Sequence, residues 1–233
     1  TSVSLEMNRA AADGTLVDYQ VTGGETQATA LDVLIGPGAT VSFTMDDDKG
    51  EFTQIAGNAG FDLFGFVTVS GGFAFEKSTR AVVLSDDSSV VTDMLTFGLL
   101  NVNAFVGYDK GTPDTGDDLG IQLLGVDLAV AIFSEQSGAR KWTSVMAGVD
   151  TASFLGAPDG LGVSLSSASI EMNNPASDGT LVDYLMTGSE TEATELDVQL
   201  GPDTSVSFDM DGDRGEFIQI AGHADFNLFD FVT

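Results

Sequence analysis

The stretch IQLLGVDLAVAIF, residues 121–133, decides the fold class of this chain. Its even positions from Leu124 to Ile132 carry aliphatic side chains, and a period of two is the period of a β-strand. Similar alternation or continuous apolar character is found in five further segments, 41–45, 95–106, 142–155, 161–172 and 206–210. These patterns predict a protein built of β-strands.

Short turn signals rich in Gly, Pro and Asp separate the apolar segments: GPGA at 36–39, DDDKG at 46–50, SEQSGAR at 134–140, GAPDG at 156–160 and NPASDG at 174–179. Such short connections favour antiparallel neighbours, because parallel strands need long crossovers. No segment has clear helical periodicity, and 85–92 offers at most one turn. We therefore expect an all-β fold, an elongated antiparallel β-meander with sandwich-like tandem repeats. A β-solenoid is the alternative, since apolar phrases recur every roughly 19 to 24 residues.

An internal repeat is the strongest signal in the sequence. Residues 4–68 align without a gap to residues 169–233 at an offset of 165 positions, and roughly two-thirds of the aligned residues are identical. The turn glycines and the phenylalanines recur, as a shared fold requires. We expect residues 1–168 to make up one period of the repeat, and residues 169–233 to be the start of the next repeat, cut short, in a longer protein.

The charge limits the classes of partner. The chain has 36 acidic and 8 basic residues, a formal net charge of −28, which repels nucleic acid and anionic membrane surfaces. The apolar fraction of 42% is that of a folded protein. Cysteine is absent, and no apolar run approaches the roughly 20 residues of a membrane helix. We expect no nucleic-acid partner and no membrane insertion.

Two acidic loops occupy equivalent positions of the repeat and are the candidate metal sites. Carboxylates at alternate positions of a tight loop can converge on a hard cation, so calcium is the expected ligand. A solvated turn, with Asp bonding to its own backbone, is the alternative. The candidate ligands are Asp46, Asp48 and Glu51 in the first copy, and Asp209, Asp211, Asp213 and Glu216 in the second.

No catalytic residues are predicted. His223 is the only histidine and replaces Asn58 of the first copy, so we expect it to be a surface substitution. No Ser/His/Asp set can be assembled, and a cysteine nucleophile is absent. The loop at 108–120 is long and acidic; it is either solvated or binds a cation, a neighbour or a glycan. The chain is expected not to be an enzyme.

Four phrases resemble the repeats of giant, acidic, cysteine-free bacterial extracellular and surface proteins, which are large, repetitive and adhesin-like or filament-forming: VSGGFAFEK at 69–77, MLTFGLLNVNAFVGYD at 94–109, GIQLLGVDLAVAIF at 120–133 and GLGVSLSSASIEMN at 160–173. The resemblance implies export, tandem arrays and a structural role. The nonapeptide Gly/Asp calcium repeat of other exported proteins is not present.

The expected function is therefore a structural repeat module of a long secreted or cell-surface protein that forms a filament, stalk or adhesin. Its expected partners are neighbouring repeats of the same or identical chains, together with glycans or a surface. The alternative is a carbohydrate-binding or polysaccharide-degrading protein on an elongated β scaffold.

Overall fold

The computed structural model describes residues 3–20, 27–64, 66–108, 118–158, 160–187, 192–201 and 203–229. Its regular elements are strands, with two single 3-10 turns at Asp47–Lys49 and Gly212–Arg214. The strands are β1 (Val3–Asn8), β2 (Asp32–Gly36), β3 (Ala39–Ser42), β4 (Phe52–Leu63), β5 (Val67–Val83), β6 (Ser89–Tyr108), β7 (Leu119–Glu135), β8 (Lys141–Leu155), β9 (Leu161–Asn174), β10 (Asp197–Gly201), β11 (Thr204–Ser207) and β12 (Phe217–Leu228).

Eight strands form one antiparallel sheet in the order β1-β4-β5-β6-β7-β8-β9-β12. From β4 to β9 each strand pairs with the next strand along the chain, so the predicted all-β antiparallel meander is confirmed. The sheet is open and does not wind into a solenoid. The remaining strands form two separate hairpins, β2–β3 and β10–β11.

The turn chemistry explains where strands end. The GPGA signal joins β2 to β3, and Gly38 there has φ of +76°, a conformation that glycine adopts without strain. SEQSGAR joins β7 to β8, and GAPDG precedes β9. The segment 85–92 forms no helical turn: Asp87 donates its amide to the Leu84 carbonyl in a tight turn, and β6 begins at Ser89.

The two copies of the repeat fold in the same way. β1 pairs with β4 in the register Ser4↔Ala56 and Asn8↔Phe52, and the equivalent strands β9 and β12 pair as Ser169↔Ala221 and Asn173↔Phe217. In each copy the chain between the paired strands leaves the sheet, forms a two-stranded hairpin and returns through the acidic loop. We call these segments the first cap (residues 10–45) and the second cap (residues 175–210).

The hydrophobic core lies between the second cap and one face of the sheet. Val182, Val198 and Met210 of this cap are fully buried against the sheet residues Phe133 and Trp142. The hairpin β10–β11 comes so close to β6 that a Cβ added to Gly98 would lie 1.8 Å from the carbonyl oxygen of Gln199. A glycine is therefore required where the hairpin crosses the sheet.

The opposite face of the sheet is apolar and is covered by no residue that the structure describes, and we call it the open face. One row of paired residues crosses all eight strands, and it consists of Leu5, Ile55, Phe75, Phe97, Val130, Val145, Met172 and Ile218. The even-numbered apolar residues Leu128, Val130 and Ile132 of β7 lie on this face. The covered face of the same strand carries Ala129 and Ala131, whose small side chains leave room for the cap, and the fully buried Phe133.

Candidate functional site

The first acidic loop brings carboxylates together at the start of β4. Asp46 and Asp47 lie beside Asp18 of the first cap, and one carboxylate oxygen of each is within 4.8 Å of the others. Three carboxylates at this spacing suit a hard cation such as calcium. Glu51 accepts a long hydrogen bond of 3.4 Å from the Ala10 amide. The side chain of the predicted ligand Asp48 lies outside the described residues.

The second acidic loop is arranged differently. Asp211 accepts the Asp213 amide at 2.8 Å, which caps the 3-10 turn. Gly212 replaces Asp47 of the first copy, and its amide donates to the Asp183 carboxylate at 2.8 Å. Asp209, Asp213 and Glu216 are exposed. Of the predicted ligands, then, only Asp46 joins a group of three carboxylates within the described part of the chain.

Asp18 and Asp47, which join Asp46 in the group of three carboxylates, were not among the predicted ligands. The hairpin β2–β3 lies between Asp18 and Asp46 in the chain, so only the folded cap brings these two residues together. One signal was present in the sequence: Asp18 recurs as Asp183 in the second copy. His223 is exposed on β12, as expected of a surface substitution. Residues 109–117 of the predicted acidic loop lie outside the described residues.

The second cap is anchored to the sheet by a buried chain of hydrogen bonds. The Tyr184 hydroxyl donates to Ser144 Oγ at 2.7 Å, Ser144 Oγ donates to Asn173 Oδ1 at 3.0 Å, and Asn173 Nδ2 donates to the Val182 carbonyl at 2.8 Å. Burial raises the pKa of the Tyr184 phenol well above its usual range, so the hydroxyl keeps its proton. Each donor and acceptor is satisfied, which favours one position of the cap on the sheet.

Backbone pairing adds to this anchor at the end of β5. Leu84 and Val182 form an antiparallel bridge. The Asp183 amide donates to the Val83 carbonyl at 3.0 Å, and the Ser85 amide donates to the Leu181 carbonyl at 2.9 Å. The cap is therefore joined to the chain just beyond β5 by a single antiparallel bridge and the hydrogen bonds that flank it.

A third anchor surrounds Trp142 of β8. Its Nε1 donates to the Thr180 carbonyl at 3.0 Å, and the guanidinium of Arg140 lies over its ring. Arg140 also bonds to Glu135 at 2.8 Å and to Asp178 at 3.1 Å. The Thr180 hydroxyl, which donates to Asp178, and Arg140 together lower the pKa of the Asp178 carboxyl. Arg140 thus joins the β7–β8 hairpin to the cap.

The first cap has the same internal structure as the second. The Asn8 Nδ2 donates to the Val17 carbonyl at 3.0 Å, as Asn173 does to Val182. In both caps a tyrosine amide donates to a methionine carbonyl, from Tyr19 to Met45 at 2.9 Å and from Tyr184 to Met210 at 3.1 Å. The cap is therefore a preformed element that appears twice in the chain.

Only the surroundings of the two caps differ. Apolar residues that are buried in the second cap are exposed at equivalent positions of the first: Val33 is 39% exposed and Val198 0%, Leu31 is 39% exposed and Leu196 3%, and Ile35 is 65% exposed and Leu200 5%. The reason is the order of strands in the sheet. The second cap covers β5 to β8, which precede it, and no described strand precedes β1.

Each of the two edge strands of the sheet, β1 and β12, has a copy elsewhere in the chain that is an inner strand. β1 leaves open the edge on which its copy, β9, pairs with β8. β12 leaves open the edge on which its copy, β4, pairs with β5 over the whole of Phe52–Leu63. At both open edges, the equivalent edge of the strand's copy is therefore paired with a neighbour within this chain.

No protein family model, curated protein or solved structure matches this chain.

The part of the chain that the structure describes has no helix of the length and apolarity needed to cross a membrane.

The surfaces that are open to interaction are the two outer edges of the sheet, the exposed side of the first cap, and the open face. The two rows of the open face that pass through Phe73 and Phe75 carry no charged residue, although the net charge of the chain is −28; Lys77 lies in the next row. The acidic side chains are concentrated in the loops, the caps and the ends of the strands.

Proposed function

We propose that this chain is a structural repeat module of a long secreted or cell-surface protein that forms a filament, stalk or adhesin. The observation that carries the proposal is the equivalence of the open edges to inner strands. The pairing of β9 with β8, applied to β1, extends the sheet in one direction. The pairing of β4 with β5, applied to β12, extends it in the other.

The geometry of such an array follows from the strand count. One period contributes six strands, β4 to β9, to the sheet. Neighbouring strands are about 4.8 Å apart, so each period of 165 residues adds about 29 Å along the axis. The strands run across this axis, and the caps follow one another along one side of the sheet. The proposal includes no catalytic activity.

The repeat-to-repeat length tests the proposal. An extended chain is made by joining residue 168 to a second copy of residues 4–233, which adds one period without a foreign linker. Small-angle X-ray scattering and negative-stain images should show a particle about 29 Å longer and no wider than the chain of 233 residues. Separate globules joined by flexible connections would show that repeats are independent, and the proposal would be wrong.

A secreted location and binding to glycans or a surface belong to the same proposal. They are supported by the resemblance of the apolar phrases to surface-protein repeats, and the absence of cysteine is compatible with an oxidising or a reducing location. In a filament of separate, identical chains the open edge of β12 would have to pair with that of β1, because β5 and β8 already have two neighbours within each chain.

A further inference from the structure

We propose that the exposed side of the first cap is a docking surface for the covered face of a preceding repeat, formed by copies of β5 to β8. This inference rests on the proposed tandem array and identifies the contact that joins one repeat to the next. The second cap supplies the evidence, because it has the same fold and is seated on that face in this structure.

The apolar part of the surface is complementary to that face. Leu31, Val33 and Ile35 are exposed in the first cap, whereas their counterparts are buried against the sheet. The hairpin β2–β3 has the same register as β10–β11, pairing Val33 with Val41 as Val198 pairs with Val206. A preceding copy of Gly98 would leave room for the carbonyl of Leu34, as Gly98 leaves room for that of Gln199.

The polar part of the surface matches as well. The Tyr19 hydroxyl has no hydrogen bond to any residue that the structure describes, and the equivalent Tyr184 bonds to Ser144 of the strand before its own repeat. Asp13 accepts hydrogen bonds from the Thr15 amide at 3.1 Å and the Thr15 hydroxyl at 2.7 Å. Its counterpart Asp178 forms the same turn with Thr180 and also bonds to Arg140. The residues with which the second cap is anchored to the sheet therefore have equivalents in the first cap.

The occupant must be a preceding repeat of the same array. In a separate molecule of this chain the faces of β5 to β8 are already covered by that molecule's own second cap. A preceding repeat, by contrast, places β8 next to β1 and leaves the face above it free for the first cap. One contact then combines sheet extension at β1 with burial of the cap.

Single cysteines provide the test, since the chain has none of its own. Ile35→Cys is compared in the chain of 233 residues and in the inner copy of the extended chain described above. We expect its reaction with a maleimide to slow at least about tenfold in the extended chain, because local opening then precedes labelling. Thr40→Cys should react fast in both chains, since its counterpart Ser205 is exposed in the docked cap.

Hydrogen exchange gives a second measurement that needs no substitution. The inner copy of the Asp18 amide should exchange as slowly as Asp183, whose amide is bonded to Val83. An inner Ile35→Cys that stays reactive in a particle of the expected length would overturn the docking and leave the array intact. Separate globules would overturn the array itself. Protection of Ile35→Cys in the unextended chain that rises with protein concentration would show docking between molecules and would overturn the tandem occupant.

Discussion

Tyr19 and Tyr184 are the same residue of two copies in different surroundings. The ring of Tyr184 is buried and stacks edge-on against Phe208, and its hydroxyl bonds to Ser144. The ring of Tyr19 lies at the same centroid distance of 5.3 Å from Phe43 but is tilted by 41°, and its hydroxyl has no serine partner in the described part of the chain. Any energetic difference between these two hydroxyls therefore reports the contact of the cap with the sheet.

Removing each hydroxyl measures that difference. Tyr184→Phe should lower the free energy of unfolding by about 1 kcal/mol, the usual net value of one intramolecular hydrogen bond. Ser144 keeps its bond to Asn173, so no buried group is left without a partner. Tyr19→Phe is the matched control and should change stability by less than about 0.5 kcal/mol. Urea unfolding measures the free energy of unfolding of both variants, and equal losses of stability would contradict the assigned role of Tyr184.

Asp47 is the member of the three-carboxylate group that the second acidic loop lacks. Asp47 adds a carboxylate to Asp18 and Asp46, and Gly212 removes it from the second copy. The expected calcium binding of these loops stays a prediction, and the structure favours the first loop for it. Calcium at millimolar concentration should raise the melting temperature, because a ligand of the folded state alone stabilises that state.

Two variants separate the loops. Asp47→Gly gives the first loop the residue that the second already accommodates, and it should reduce the calcium-induced shift; Asp213→Ala should affect only the contribution of the second loop. Magnesium serves as the control ion, because it demands smaller, octahedral coordination. A wild-type melting temperature unchanged by calcium, with no effect of Asp213→Ala, would make both loops plain turns.

At the scale of elements, the cap is the unit whose burial can be compared within one molecule. Leu31 and Leu196 are the same residue at the entry to the hairpin, 39% exposed in the first cap and 3% in the second. Their chain neighbours and internal hydrogen bonds are alike, since the Phe43 and Phe208 amides both donate to the carbonyl of this leucine at 2.9 Å.

Leu196→Ala should therefore cost about 2 to 5 kcal/mol in unfolding free energy, the range for a buried leucine that leaves a cavity. Leu31→Ala should cost less than about 1 kcal/mol, because water already reaches this side chain. Chemical denaturation monitored through Trp142, which lies under the second cap, measures both. A similar loss at the two positions would mean that the first cap is also docked in solution.

The strands were predictable from the sequence because a period of two is a local property. The apolar segments 95–106, 121–133, 142–155 and 161–172 all fall within β6 to β9. The docking of the caps was not predictable, because it depends on contacts such as Arg80 to the Glu195 carbonyl, 115 residues apart in the chain. The same reason explains why Asp18 was missed beside Asp46.

At the scale of the whole molecule, the internal repeat led to the proposal of an array, and the order of strands in the sheet suggests the geometry that this array would have. The sequence indicated one continuous aliphatic face on β7, formed by the even positions, but it could not show that this face is the open one. The deciding residues are small: Ala129 and Ala131 lie under the cap, and the larger Leu128 and Val130 remain on the open face. An open apolar row across eight strands is unusual for a protein of such high net charge.

The eight strands stand in the sheet in the order in which they occur along the chain. A strand that leaves a ribosome or an export pore therefore finds its partner already made, and no later strand has to be inserted between two earlier ones. Each step from β4 to β9 closes a loop of at most ten residues, so the entropic cost of pairing is low. The second cap likewise emerges after the strands that it covers. Folding can consequently keep pace with the arrival of the chain, and even a very long array would need only its newest strands to be unfolded at any moment.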